Sequence, residues 1–150
     1  MGRLVKQNKA LDVRILHKML HSYELDLLSK KISMSRKRFI KMASAYFVIS
    51  CVGALRGGEG LMLEATSLAR YNDEGREEKV PYVLAPLLGR FKGETGERNV
   101  LLPFAAETKS GIQVRVIIDR VVEILAREGR SSGALSPVFC HVGGKSISRT

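Results

Sequence analysis

The chain has 150 residues, enough for one domain with a core of its own and too few for two. Apolar residues make up 45% and charged residues 27%, a balance that excludes a disordered chain. The longest mostly apolar stretch, 43–55, carries serines and is too short to cross a bilayer. The formal charge is +10, and it is unevenly placed. Residues 1–56 hold 12 Lys and Arg against 3 Asp and Glu, whereas residues 57–150 hold 13 against 12. Charge concentrated on one region points to a polyanion, nucleic acid first among them. Arg3, Lys6 and Lys9 are not followed by an apolar secretory segment, so no membrane partner is expected. The expected location is intracellular: the nucleus in a eukaryote, the cytoplasm or nucleoid in a prokaryote. Cys51 and Cys140 lack metal-ligand spacing and read as free thiols.

In chain order, the first predicted element is a helix over 12–28. Val13, Leu16, Met19 or Leu20, Tyr23 and Leu27 give its period, and Asp12 is its N-cap. A second, longer helix follows from Ser35, with Phe39, Ala43, Tyr46 or Phe47, Ser50 and Ala54 recurring every three to four residues. Its first turns hold Arg36, Lys37, Arg38 and Lys41, which oppose the helix dipole and suit an external anion. A third short helix is predicted over 58–68, and 72–79 reads as a charged turn. "VPYVLAPLLGRF" and "RNVLLPFA" then read as two strands of a hairpin with "KGETGE" at its tip. Pro86 confines its strand to an edge or breaks it. Ser110 and Gln113 form a capping-box pattern ahead of Val114, Ile117, Val121 and Leu125, and Gly129 is placed to end that helix. The fold class is therefore mainly α with a small antiparallel hairpin, an α+β domain spanning 1–150, with 1–9 and 143–150 expected to fray.

Two residues stand out chemically. Arg56 interrupts the apolar run "CVGALRGGEGLML" next to Gly57 and Gly58, a setting that suits bidentate recognition of a phosphate or carboxylate. Glu59, three residues on, supplies a carboxylate that supports it; the same pair would equally serve as a tie across the junction. Lys92 opens the hairpin tip, where it would act as a point charge or proton donor, or simply keep the turn hydrated.

Taken together, "GALRGGEGLMLEATSL", the hairpin "FKGETGERNVLLPFA", the amphipathic helix after it and the "PVF" segment resemble the first part of the catalytic domain of the tyrosine recombinases, the phage-integrase family. The resemblance spans roughly residues 10–145. It implies that Arg56 binds the scissile phosphate, that Lys92 protonates the departing 5′-oxygen, and that DNA is the partner. Arg36, Lys37, Arg38, Lys41, Arg90 and Arg98 are the expected DNA contacts. In the parent reaction, a tyrosine forms a 3′-phosphotyrosyl link that conserves bond energy for rejoining, while guanidinium groups stabilise the charge on the phosphorus oxygens. No metal and no small-molecule cofactor is implied. The chain departs from the pattern after the hairpin: it has no His-x-x-Arg, and its last tyrosine is Tyr82. It is thus expected to be a DNA-binding fragment of a mobile-element recombinase that does not cleave DNA by itself. An incomplete domain exposes apolar surface, which favours self-association. The alternatives are a non-catalytic basic helical module for DNA and a module for an acidic protein partner.

Overall fold

The computed structural model describes residues 12–55, 57–77, 81–87, 100–133 and 136–140. Helix α1 covers Val13–Leu28 and α2 covers Met34–Val52. A single turn, α3, follows at Gly57–Gly60, and then α4 at Ala65–Glu77. Strands β1, Tyr82–Leu87, and β2, Val100–Ala105, precede α5, Val114–Arg127. The mainly helical chain with a small antiparallel sheet is the expected α+β class.

The core forms where α2, α4 and α5 meet the sheet. Ala45, Val48 and Ile49 of α2 are fully buried, as are Ile118, Val121 and Leu125 of α5 and Leu68 of α4. Of the α5 residues that set its period, Val114, Ile117, Val121 and Leu125 all face inward. Helix α1 is peripheral, burying only Leu16. It is held by its Asp12 cap, whose Oδ1 accepts from Arg14 N at 2.8 Å, and by a bidentate ion pair from Arg120 of α5 to Glu24.

In α2, the buried residues are Ile40, Met42, Ser44, Ala45, Val48 and Ile49, not the row Phe39, Ala43, Tyr46 and Phe47 that gave its period in sequence. That row lies along an open groove. Beyond Lys41 the helix carries apolar residues on most sides, so periodicity alone does not say which side is covered.

β1 and β2 pair antiparallel, with Val83 opposite Phe104, Ala85 opposite Leu102 and Pro86 opposite Leu101. Each strand of a two-stranded sheet has an outer edge, so Pro86 is accommodated without a break. Its carbonyl accepts from Glu64 N at 2.8 Å.

Two predicted elements are corrected. The helix expected over 58–68 is divided, because the backbone of 63–65 is used elsewhere. Leu63 O accepts from Val138 N at 2.7 Å, and Ala65 N donates to Ser136 O at 2.9 Å. This joins the 136–140 segment to the core as an isolated bridge, Glu64 to Pro137. The expected turn over 72–79 is helical through Glu77, with 78–80 outside the described residues. Asn72 is buried there, its Nδ2 donating to Asp119 Oδ1 of α5 at 2.8 Å, so the charged side of the segment faces outward.

The capping box of α5 is also replaced. Gln113 makes no side-chain cap bond, and the turn ahead of the helix is organised by Thr108. Its Oγ1 accepts from Ile112 N at 3.0 Å and pairs with Ser110 Oγ at 2.9 Å. The other end is as expected. Gly129 adopts φ +68°, Arg130 N donates to Leu125 O at 2.7 Å, and Gly129 N donates to Ala126 O, the bonds of a Schellman stop.

Candidate nucleic-acid interface

The basic region is built by the α1–α2 turn and the first two turns of α2. Ser33 starts the helix; its Oγ accepts from Arg36 N at 3.2 Å. Lys30, Lys31 and Arg36 are exposed, while Lys37 and Lys41, one turn apart, are half-buried along their stems. Among the described residues, none of these five makes an ion pair. Arg36 lies over the Phe39 ring, with its guanidinium carbon 5.1 Å from the centroid.

Arg38 has a different role. Its Nε and Nη2 donate to the two carboxylate oxygens of Glu128, both at 2.8 Å, fastening α2 to the C-terminal end of α5. Arg38, and then Arg130, hold the Glu128 carboxyl below its ordinary range against the opposing effect of burial. Arg130 continues the network: its Nη2 donates to the carbonyls of Pro137 and Val138, both at 2.7 Å. Of the four α2 cations expected to meet DNA, three thus have no carboxylate partner among the described residues and one is already engaged.

Arg56, Lys92, Arg90 and Arg98 lie outside the described residues. The structure does describe what flanks Arg56. Helix α2 ends in a Schellman arrangement, Leu55 N donating to Ser50 O at 2.8 Å and Ala54 N to Cys51 O at 3.3 Å. Ala54 carries the left-handed turn, φ +52°, which glycine ordinarily supplies. The neighbouring Gly53 is needed where it is: a Cβ there would come within 2.7 Å of Ile49 O and 3.1 Å of the Phe104 ring. On the far side of the junction, α3 contains Glu59, partly buried, and Gly60, where a Cβ would strike Ser50 Oγ and the Tyr46 ring. The chain on either side of Arg56 is therefore tightly fixed. Strands β1 and β2 present the ends from which the segment carrying Lys92 departs and returns.

Glu64 is a residue that sequence reasoning did not single out. It is fully buried, its Oε1 accepting from Thr66 N at 2.9 Å and its Oε2 from Ser67 N at 2.6 Å. Ser136 N adds a longer bond, 3.4 Å. Burial pushes its pKa up, but the Ser67 hydroxyl and the three backbone donors outweigh that, and the net shift is downward. It caps α4, with both carboxylate oxygens taken up by backbone donors. Two of its donors are local, at the second and third residues after it, but the helix break that makes it a cap is set by the 136–138 segment about 70 residues away.

Among the described residues, no three His, Cys, Asp or Glu side chains are placed to hold a metal ion, and no helix is long and apolar enough to cross a membrane. Cys51 and Cys140 are free, and burial raises the Cys51 thiol. Comparison with protein-family models, with curated proteins and with solved structures finds no match for this chain. The functional reading therefore rests on the residues themselves.

Proposed function

We propose that this chain binds duplex DNA through the α1–α2 turn and the first half of α2, as the N-terminal part of a tyrosine-recombinase-type catalytic domain. The observation that carries the reading is the group Lys30, Lys31, Arg36, Lys37 and Lys41, carried by the α1–α2 turn and the first two turns of α2 and without ion-pair partners among the described residues. Placing five cations together raises the folded state's free energy through mutual repulsion, and phosphates relieve it. The parent activity is DNA recombination or integration through a 3′-phosphotyrosyl intermediate. In that role Arg56 grips the scissile phosphate, and Lys92 delivers a proton to the leaving 5′-oxygen. A His-x-x-Arg box and a tyrosine do not follow the hairpin in this chain, so binding is assigned to it and cleavage to a longer parent.

The test is fluorescence anisotropy of a labelled duplex over a salt series. Arg36→Glu combined with Lys37→Glu should weaken binding by about tenfold or more and lower the log–log salt slope by about two. Unchanged affinity would sink the DNA surface.

A further inference from the structure

An apolar groove of about 270 Å³ runs along the outward side of α2. Phe39, Ala43, Tyr46 and Phe47 form one wall, and Leu61 and Phe139 stand on the other. Tyr46 meets Phe47 and Phe139 edge-on, at centroid separations of 5.4 and 5.7 Å, so the floor is a fixed aromatic surface. At one end Phe39 is 54% exposed beneath the Arg36 guanidinium. No carboxylate lines the groove among the described residues.

We propose that this groove docks an amphipathic helix of another protein, apolar along one face and acidic at the end that meets Arg36. The α2 wall repeats at i, i+4, i+7 and i+8, the spacing that receives a helix laid alongside. From Phe39 to Phe47 it spans about 12 Å, two to three helical turns. Charge decides the occupant. Residues 1–11 and 141–150 of this chain carry Lys and Arg but no Asp or Glu. Either would place positive charge beside Arg36, whereas an acidic helix would neutralise it; a second copy is the alternative that sedimentation tests. The groove meets the surface assigned to DNA only at Arg36, and the inference does not depend on that assignment.

The probe is a synthetic helix of about 18 residues, with Leu at i, i+3, i+4 and i+7 spacing and Glu between, fluorescently labelled and titrated with the full chain. Saturable binding below about 1 mM is expected, with the Lys-for-Glu peptide binding at least about tenfold more weakly. Ala43→Gln, which fills the groove without changing charge, should reduce acidic-peptide binding about tenfold and leave duplex binding unchanged. Phe39→Ser, at an exposed position that folding tolerates, should reduce it as well. Arg36→Glu should reverse the preference towards the Lys peptide. The proposal is overturned if the acidic peptide does not bind, if the Lys peptide binds equally, or if neither groove variant has an effect. A dimer in sedimentation that Phe39→Ser dissolves would also overturn it, by giving the groove to a second copy.

Discussion

Ala54, in a left-handed conformation, and Glu64, a fully buried carboxylate, are two positions where a local cost is met by the surrounding structure. A left-handed alanine costs about 1–2 kcal/mol relative to its ordinary basins, and it persists here because Gly53 is committed to the Phe104 contact. Ala54→Gly should therefore stabilise the chain by about 0.5–1 kcal/mol, the relief of strain exceeding the added freedom of the unfolded state. Gly53→Ala should destabilise it by about 1–3 kcal/mol, since Ile49 O is backbone and cannot step aside. Urea denaturation of the two variants checks both signs. For Glu64, the folded pKa lies below the ordinary value of 4.5. Its contribution is accordingly complete above about pH 4.5 and is lost as pH falls through the lower folded value. Glu64→Gln should remove that component, leaving a flatter stability profile between neutral and acid pH, and should cost about 1–3 kcal/mol at neutral pH through weaker acceptance from three part-buried N–H groups. A thermal-denaturation series against pH separates the variant from the parent; parallel profiles would show that Glu64 is not the titrating cap.

At the scale of elements, what was legible in sequence is what local chemistry decides. Helix α5 was readable because four apolar residues at its period coincide with its one buried face and Gly129 supplies the stop. The start of α1 was readable because Asp12 caps its own neighbours. The break between α3 and α4 was not, because it is imposed by Ser136 and Val138, more than 70 residues away, taking the backbone of 63–65. The same distance hid the role of Arg38: its sequence neighbours are cationic, and its partner Glu128 enters only when α2 packs on α5. For the candidate site, then, the cluster was legible but its division into one strut and three cations without an ion pair among the described residues was not. The strut makes its own prediction. Arg130→Ala removes the two bonds that hold the carbonyls of Pro137 and Val138, and should cost about 1.5–3 kcal/mol. It should also speed amide exchange at Val138, whose N–H bonds Leu63 O, well beyond the change at Leu125 in the core. Equal acceleration at both amides would mean that the segment is not separately fastened.

Across the whole molecule, function and stability pull the first half of α2 in opposite directions. Arg36 and Lys37 occupy the first turn of a helix whose dipole favours acidic groups there, and no acidic residue stands in that turn. Glutamate at position 36 would complete a capping box with Ser33, whose hydroxyl already accepts from the backbone N–H of that residue at 3.2 Å. The double variant Arg36→Glu, Lys37→Glu should thus be more stable than the parent by about 0.5–1 kcal/mol at low ionic strength, while binding duplex DNA more weakly. Added salt should narrow the stability difference, because the dipole and the cation cluster are both screened. This opposition of signs makes the assay decisive. A variant that loses DNA binding because it unfolds would melt earlier, whereas one that loses a phosphate contact melts later. Thermal denaturation of parent and double variant at two salt concentrations reads the first sign, and duplex anisotropy reads the second. A lower melting temperature together with weaker binding would mean that the basic cluster is part of the scaffold and not a surface kept for a polyanion.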